Sequence, residues 1–301
     1  MKKVLVIAGP TASGKTALSI QLAKALNGEI ISGDSQQVYR ELNVGTAKIT
    51  EEAKQAIPHY GLDFVSYDQA YSVKDFQTMA RNAIDEITQR NKLPIIVGGT
   101  GFYLKATLYD YVFEDETNQD ETFDELNNDE LYARLVKLDP KATEKIHPNN
   151  RKRVLRALNI ALKGETKSER EAKQKHEPLY DVFMLVMDHP KELLDKRIEE
   201  RLDQQFMSGL REEIEKYFST AEARTYQSFQ AIGYKEWRAY FEEQAPIEEI
   251  KQKIVIATRQ YAKRQLTWFR HQFNAYWYKP SLENEKLLMN TIKTWLDKET
   301  L

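Results

Sequence analysis

Residues 9–16 read Gly9-Pro10-Thr11-Ala12-Ser13-Gly14-Lys15-Thr16, and this segment is the strongest single indication of the fold class. It follows an apolar run at 4–8 and leads into an amphipathic segment that ends at Asn27-Gly28. A strand, a glycine-rich loop and a helix in that order match the G-x-x-x-x-G-K-[ST] pattern of phosphate-binding loops. The pattern predicts that backbone N–H groups surround phosphate oxygens, that Lys15 adds a positive charge and that the Thr16 hydroxyl holds Mg²⁺.

Four further segments have the composition of strands, at 29–32, 93–97 and 181–187 and, more weakly, at 62–65. Helical patterns lie between most of them. Strands that alternate with helices predict an α/β fold with a P-loop NTPase-like parallel sheet, as in nucleotide kinases, and helices on both faces. The ligand then lies at the carboxyl ends of the strands, where Asp34 and the turn Gly98-Gly99-Thr100-Gly101 follow the second and fourth strands.

About eighty residues separate the last two predicted strands, far more than a single crossover helix needs. We therefore predict a core of residues 1–112 and 150–301 and a helical insertion domain at 113–149, which in a wider interpretation extends to about 178. The acid-rich part of the insertion, at 114–130, is expected to be a solvated face. Helical patterns fill the C-terminal part of the chain, with long helices expected at 191–218 and 247–273.

The composition excludes several classes of protein. The chain has 301 residues, of which 41% are hydrophobic and none is cysteine. Without cysteine there are no disulfides, thiolate zinc sites or cysteine nucleophiles, and a cytoplasmic location is expected. No apolar stretch approaches the length of a membrane span, and the first residues lead into a strand rather than a signal peptide. We therefore expect no membrane partner.

The net charge of −2 conceals a separation of acidic and basic segments. Residues 114–130 carry nine acidic side chains and no basic one, whereas residues 251–279 carry seven basic side chains, seven aromatic ones and no acidic one. A basic helix with interleaved aromatic rings is typical of surfaces that bind structured or single-stranded RNA. The alternative is a solvated basic face whose aromatic residues belong to the core.

Two polar residues at strand ends are candidates for chemistry. The strand at 93–97 ends in glycines rather than in the metal-organising acid of most P-loop ATPases, which argues against ATP hydrolysis. Asp34 is the nearest replacement, as a magnesium ligand or a base, although a turn-capping role explains it equally well. Thr100 stands between glycines, so that a ligand can approach it closely, or the segment is a plain tight turn. The isolated His59 is expected to be structural.

Six strings across the chain resemble one family, the bacterial tRNA dimethylallyltransferases, also called tRNA isopentenyltransferases. The loop alone is common to many unrelated proteins, but the strings together are specific. They are residues 9–16, Asp34-Ser35-x-Gln37-x-Tyr39, Gly98-Gly99-Thr100-Gly101-x-Tyr103, Arg153-x-x-Arg156-Ala157-Leu158, Gln230-Ala231-Ile232-Gly233-Tyr234-x-Glu236 and Thr258-Arg259-Gln260-x-Ala262-Lys263-Arg264-Gln265-x-Thr267-Trp268.

The resemblance implies a reaction at carbon without phosphoryl transfer. The loop would hold the diphosphate of dimethylallyl diphosphate with Mg²⁺ at Thr16, and the N6 amine of the adenosine 3′ of the tRNA anticodon would attack the allylic carbon. Asp34 would accept the amine proton beside Thr100. The extruded base would be read or held by Ser35, Gln36, Gln37 and Tyr39. The anticodon stem-loop would be gripped through Arg153, Arg156, Lys263 and Arg264, and a monomer is expected.

The departures from the family pattern are small. Asn149-Asn150 stands where Asn-Asp is usual, Asn159 replaces a common glutamate, and His59-Tyr60 replaces a His-His pair. Three other functions remain open on the residues alone: a P-loop small-molecule kinase, an RNA-binding protein with a regulatory nucleotide, and prenyl transfer to free AMP or ADP. A small-molecule kinase would not account for the basic, aromatic segment at 251–279.

Overall fold

The computed structural model describes residues 1–113, 123, 125–173 and 176–298. The chain divides into two compact units, one formed by Met1–Tyr109 with Pro178–Leu301 and the other by Asp110–Glu177. Most of the acid-rich segment at 114–130 lies outside the described residues, so its expected solvated face stays a prediction.

The larger unit is built on one parallel sheet. Its strands, in spatial order β3-β2-β4-β1-β5-β6, place the first strand between the fourth and fifth. The strands are β1 (Lys3–Ala8), β2 (Gly28–Ser32), β3 (His59–Tyr60), β4 (Leu93–Gly98), β5 (Asp181–Met187) and β6 (Tyr276–Tyr278). All neighbouring pairs are parallel, so that their carboxyl ends share one edge.

Thirteen α-helices are assigned within the described ranges. They are α1 (Lys15–Ala25), α2 (Glu51–Lys54), α3 (Val73–Gln89), α4 (Gly101–Leu108), α5 (Asn128–Leu138), α6 (Pro140–Thr143), α7 (Arg151–Leu162), α8 (Lys167–Lys173), α9 (Lys191–Met207), α10 (Leu210–Tyr217), α11 (Arg238–Glu243), α12 (Ile247–Gln272) and α13 (Leu282–Asp297). In the part of the chain that the structure describes, none of these helices has both the length and the apolar character needed to cross a bilayer.

Both faces of the sheet are covered, because alternate side chains of each buried strand point to opposite sides. On one face, Leu5 and Ile95 join a core cluster with residues of α1 and α13. On the other, Val6 and Ile96 join a cluster with residues of α3 and the C-terminal helices. This arrangement confirms the predicted P-loop-like α/β fold.

Two local predictions were wrong, and one strand was not predicted. The third strand lies at His59–Tyr60, and the segment at 62–65 contributes only an isolated bridge between Tyr39 and Val65. The last strand, Tyr276–Tyr278, lies within the basic aromatic segment and was not predicted. The expected helix at 191–218 is two helices, because Gly209 has a φ of 98° and ends the helical path.

The smaller unit contains α5 to α8 around its own apolar cluster, in which Leu131, Leu135, Val154 and Leu158 are buried. Its last helix is tied to the others through Asp139, whose carboxylate accepts hydrogen bonds from the backbone N–H groups of Ala142 (3.1 Å) and Ser168 (3.0 Å). The compact unit that contains these helices runs from Asp110 to Glu177. The predicted insertion domain was 113–149, or to about 178 in the wider interpretation.

The ends of β2 and β4 lie closer together than side chains permit. A Cβ atom on Gly98 would lie 2.3 Å from the carbonyl oxygen of Gly33 and 2.5 Å from its carbonyl carbon. A Cβ atom on Gly33 would instead find its nearest neighbours at 3.4 Å, an ordinary contact. Glycine is therefore strictly required at residue 98 and only weakly required at residue 33.

We expect Gly98→Ala to lower the free energy of unfolding by about 1–3 kcal/mol, because backbone atoms on both sides must move apart. Gly33→Ala serves as the matched control and is expected to cost much less. Urea denaturation followed by tryptophan fluorescence measures both. Equal losses in the two variants would contradict the packing described for the sheet edge.

Candidate active site

The phosphate loop leads directly from β1 into α1. Gly14 precedes the helix with a φ of 81°, and no side chain caps the first turn, which also lacks acidic residues. The first N–H groups of α1 are therefore available to an anion at the positive end of the helix dipole. Lys15 bends back over the loop and donates a hydrogen bond from Nζ to the carbonyl of Pro10 at 2.6 Å.

A cavity of about 390 Å³ opens at the carboxyl edge of the sheet in the larger unit. Its wall is formed by the phosphate loop, the ends of β2 and β4, the segments at 45–49 and 59–62, the facing side of α9, and the C-terminal segments before and within α12. Its polar lining includes Thr11, Lys15, Thr16, Asp34, Ser35, Gln36, Gln37, Thr100, Arg201, Gln230, Tyr261 and Gln265. Nine of the eighteen predicted site residues, from the phosphate loop, the segment at 34–37 and Thr100, therefore come together here.

Two half-buried positive charges line this cavity, those of Lys15 and Arg201. Burial, followed by the nearby charge of Arg201, lowers the pKa of Lys15 to about 7, and the Asp34 carboxylate opposes this shift. Burial also lowers the pKa of Arg201, again against the attraction of Asp34. Desolvated cations of this kind gain stability when an anion arrives. The electrostatics of the cavity therefore favour a strongly negative ligand.

Asp34 has a local role and also faces the cavity. Its Oδ1 atom accepts a hydrogen bond from the backbone N–H of Gln36 at 2.8 Å, which confirms the turn-capping interpretation. This bond uses only one of the two carboxylate oxygens. Asp34 also lines the cavity with Gln36, whose buried Oε1 atom has no hydrogen-bond partner in the structure. A buried acceptor without a partner is costly, and a ligand N–H group would satisfy it.

The Gly-Gly-Thr-Gly turn is packed against α12. Gln265 donates from Nε2 to the carbonyl of Gly99 (2.9 Å) and accepts at Oε1 from the backbone N–H of Thr11 (3.3 Å). A Cβ atom on Gly99 would lie 2.3 Å from Gln265, and one on Gly101 would lie 2.2 Å from the ring of Trp268. Because these glycines lack side chains, helix α12 can pack closely against the turn. Gln265 and Trp268 of the C-terminal string make this contact.

Thr100 lies in the cavity wall as predicted, and Tyr261 of α12 lies beside it. Burial and the charge of Asp34 raise the pKa of Tyr261, and the side chains of Thr100 and Gln265 are within its hydrogen-bonding reach. Tyr39 differs from the prediction. Its side chain is 1% exposed and belongs to the main core cluster, outside the cavity lining. We therefore assign Tyr39 to packing rather than to contact with a base.

The predicted basic residues lie in different parts of the chain. Lys263 and Arg264 are exposed on α12, and the Arg264 guanidinium lies 5.8 Å from the ring centroid of Tyr261 in the cavity wall. Arg153 and Arg156 are carried by α7 of the smaller unit, where Arg153 is exposed. Trp268, Phe269 and Phe273 form a mutually packed group in which Phe269 is fully buried, so these rings contribute to the core.

Sequence reasoning missed several residues of the cavity. Arg201 lies in the middle of a highly charged helix, and only its i, i+4 spacing from Arg197 suggests a common face. His59, expected to be structural, lines the cavity and donates from Nδ1 to the carbonyl of Ile57 at 2.8 Å. Burial lowers the pKa of this histidine. The loop Gln230–Tyr234 also lines the cavity, although its string carried no obvious chemistry.

The loop that follows β2 is held in part by one carboxylate, and Gln205 of α9 also donates to the carbonyls of Val44 (2.9 Å) and Gly45 (2.8 Å). Glu213 of α10 accepts hydrogen bonds from the backbone N–H groups of Asn43 (2.7 Å), Val44 (2.7 Å) and Gly45 (3.0 Å) and from the hydroxyl of Tyr234 (2.8 Å). Gly45 lines the cavity together with the two residues that follow it. Contacts from α10 therefore fix one side of the site.

A second cavity of about 290 Å³ also lies at the phosphate loop and shares Lys15, Thr16 and Arg201 with the first. It is lined by residues 12–16 and by polar residues of α9, among them Arg197 and Arg201. The loop contributes the buried hydroxyl of Ser13, which has no hydrogen-bond partner in the structure. A phosphate oxygen at the loop would satisfy this donor.

The oxygen donors fit a magnesium ion only together with a bound phosphate. Among the described residues, no group of three or more His, Asp or Glu side chains is arranged to hold a metal. Mg²⁺ usually takes one or two protein oxygens, keeps several waters and binds substrate phosphates. Thr16 and Asp34 line one cavity and supply oxygens of this kind.

Comparisons with known proteins agree with this geometry. A family model described as IPP transferase matches residues 37–272. The tRNA dimethylallyltransferase of Anoxybacillus flavithermus is 46% identical over 281 residues, which cover 92% of this chain and 90% of that protein. The enzyme of the same name from Bacillus anthracis is 46% identical over 285 residues, with the same coverage.

Solved structures are similar over almost the whole chain. The tRNA isopentenylpyrophosphate transferase of Staphylococcus epidermidis shares 39% identity at a TM-score of 0.72, with 98% of this chain and all of that chain covered. A eukaryotic dimethylallyltransferase acting on tRNA shares 32% identity at a TM-score of 0.82, with 98% of this chain and 78% of that chain covered.

The fold is a P-loop-like α/β fold, and its cavity is lined by two cations and a carboxylate. Identity and coverage then specify the family. The chain belongs to the IPP transferase family, the prenyltransferases whose relatives are named tRNA dimethylallyltransferases.

We expect Gln265→Leu to lower the free energy of unfolding by about 1–3 kcal/mol, because it leaves the Thr11 N–H and the Gly99 carbonyl without their partner. Gln272→Leu is the matched control. It replaces an amide of the same helix that is exposed and accepts only from Lys105 (2.7 Å). Chemical denaturation of both variants provides the measurement, and similar values would show that Gln265 does not hold the two loops.

Proposed function

We propose that this protein transfers a dimethylallyl group from dimethylallyl diphosphate to N6 of the adenosine 3′ of the anticodon in tRNA. The observation that carries the proposal is the cavity that the half-buried cations Lys15 and Arg201 line together with the Asp34 carboxylate. Cations suit the diphosphate, and a carboxylate suits the amine proton. The names of the relatives, which are tRNA dimethylallyltransferases, support the same reaction.

The phosphate loop is the proposed site for the diphosphate of the donor. Gly9 and Pro10 shape the start of the loop, and the amides of Thr11 to Gly14 surround the oxygens together with Lys15, Arg201 and the Ser13 hydroxyl. Mg²⁺, held by Thr16 and the diphosphate with Asp34 nearby, would supply additional positive charge against the leaving group. Because these donors are already in place, they stabilise charge that develops in the transition state.

The chemical step is a substitution at carbon. The lone pair of adenosine N6 forms the new bond to the allylic C1 atom, and the C1–O bond breaks with its electron pair leaving on the diphosphate. Asp34 accepts the proton that N6 loses. An exocyclic amine is a weak nucleophile because its lone pair is delocalised, so a positioned base contributes about 10²- to 10⁴-fold.

The acceptor base must leave the stack of the anticodon loop to enter this cavity. Gln36 supports adenine as the occupant, because its unsatisfied Oε1 atom suits the second N6 hydrogen. Ser35, Gln37 and Thr100 line the same wall and are proposed to contact the base or its ribose.

The remaining contacts are proposed to hold the RNA. Lys263 and Arg264 on α12, and Arg153 and Arg156 on α7, would neutralise phosphates of the anticodon stem-loop. The absence of cysteine supports a reducing compartment, and we propose that the protein acts in the cytoplasm as a monomer.

Radiolabelled dimethylallyl diphosphate tests the proposal against its alternatives. The label is expected in unmodified tRNA. Transfer to AMP or ADP alone would select the nucleotide prenyltransferase. A P-loop kinase would use ATP instead, but β4 ends in Val97-Gly98-Gly99 without the acid that commonly organises its metal. Failure to transfer label to any acceptor would contradict the proposed function.

We expect Asp34→Asn to lower turnover by at least about a hundredfold while tRNA affinity stays nearly unchanged. The asparagine keeps an oxygen for the N–H of Gln36, so the turn is retained and only the base is removed. Single-turnover transfer and equilibrium tRNA binding measure the two quantities. Asp85→Asn, which changes an exposed aspartate paired with Lys2, is the control. A loss of binding equal to the loss of turnover would refute the role as base.

Replacement of both Lys263 and Arg264 by Ala should make tRNA affinity less dependent on salt. The log–log slope is expected to fall by about one for each phosphate that the variant no longer neutralises. Turnover at saturating tRNA should not change. The control is Lys253→Ala, on the same helix but paired with Glu249 at 2.7 Å. Identical slopes in the double variant and the wild type would mean that these side chains are only solvated.

A further inference from the structure

His189 connects the end of the fifth strand to the phosphate loop. Its Nε2 atom lies 2.8 Å from the backbone carbonyl oxygen of Ser13. A ring nitrogen this close to a carbonyl oxygen must carry a hydrogen, because two lone pairs would repel each other. His189 therefore donates to the phosphate loop through Nε2, although it belongs to none of the strings singled out in the sequence.

The position of His189 is fixed on both sides. The preceding residue, Asp188, donates from its backbone N–H to the carbonyl of Tyr278 at 2.8 Å, which extends the pairing of β5 with β6. The following residue, Pro190, directly precedes α9, and its ring restricts the backbone. The hydrogen bond from His189 to Ser13 therefore ties the phosphate loop to this short connection between strand and helix.

The bond to Ser13 sets the orientation of the peptide that joins Ser13 to Gly14. This peptide is trans, so its C=O and N–H groups point in opposite directions. With the carbonyl directed at His189, the Gly14 N–H points away from the imidazole ring. Gly14 lines the second cavity, whereas His189 lies outside the lining of both cavities. In the part of the chain that the structure describes, the Gly14 N–H has no acceptor, so it is available to an anion.

The charges of the second cavity also favour an anion. Among the described residues, its lining holds the cations Lys15, Arg197 and Arg201 against the single carboxylate of Glu200. The Nη1 atom of Arg197 lies 3.3 Å from Nε2 of His189. Because Nε2 carries the hydrogen of the bond to the loop, it cannot also accept one from the guanidinium. His189 therefore leaves the charge of Arg197 to a ligand of the cavity.

We propose that His189 is a positioning residue for the diphosphate of the donor. It holds the Ser13 carbonyl and so directs the Gly14 N–H at a diphosphate oxygen. The inference rests on the proposed function, because it takes the anion at the loop to be dimethylallyl diphosphate. His189 acts through the loop without touching the reacting atoms, so its loss weakens donor binding and leaves the acceptor site intact.

Two amide variants that differ by one methylene group test this role. Glutamine can place its amide N–H near the position of Nε2, whereas the shorter asparagine cannot reach the Ser13 carbonyl. His189→Asn is expected to weaken the affinity for inorganic diphosphate about tenfold and to raise KM for dimethylallyl diphosphate by the same factor, with kcat nearly unchanged. His189→Gln should stay within about twofold of wild type in both quantities. Calorimetry and steady-state kinetics provide the measurements.

Two controls separate positioning from a general loss of structure. The affinity for unmodified tRNA should be the same in wild type and in both variants of His189. His271→Asn replaces an exposed imidazole of the same unit and should leave diphosphate affinity unchanged. The role of His189 would be overturned by equal diphosphate affinities in the two amide variants, by a parallel loss of tRNA affinity, or by a fall in kcat without a rise in KM.

Diphosphate affinity is measured without any transfer, which separates this inference from the proposed function. If wild-type protein binds diphosphate but transfers no label from dimethylallyl diphosphate to tRNA, the proposed function fails, while the comparison of the two amide variants can still be made. If wild-type protein transfers label but the two variants bind diphosphate alike, only the role of His189 fails.

Discussion

The two hydrogen bonds of Gln265 join the parts on which the site depends. One ends on the phosphate loop at Thr11 and the other on the turn after β4 at Gly99, so a residue near the C-terminus fixes the distance between two strand ends. The approach is possible only because Gly99 and Gly101 lack side chains. The conformation of the loop at 9–16, the position of Thr100 and the path of α12 therefore depend on one another.

The sequence predicted those features that depend on neighbours in the chain. The phosphate loop, four of the six strands and the helix beginning near residue 247 follow from periodicity and turn chemistry alone. The strand at Tyr276–Tyr278 was missed because three residues carry too little pattern. Arg201 and Gln265 were not recognised as site residues, since their importance comes from contacts with distant loops. Tyr39 is the opposite error. It was predicted to contact the base because it belongs to the string at 34–39, but its side chain is buried in the core.

The cavity also illustrates why charge at a site cannot be judged from net charge. The chain as a whole is nearly neutral, yet Lys15 and Arg201 line one cavity, in which the charge of Asp34 opposes the lowering of their pKa values. The carboxylate therefore offsets part of the repulsion between the two cations. One side of this cavity is held by Glu213, which fixes three backbone N–H groups without facing the ligand.

The two cations of the cavity also connect the proposed ligand with the stability of the protein. A ligand that binds only the folded chain raises the free energy of unfolding by an amount that grows with its concentration, about 2.7 kcal/mol at a hundred times its dissociation constant. Under the proposed function, a diphosphate that relieves the repulsion between Lys15 and Arg201 would act in this way. The concentration of the proposed donor would then set the folded fraction of the protein as well as its rate of reaction.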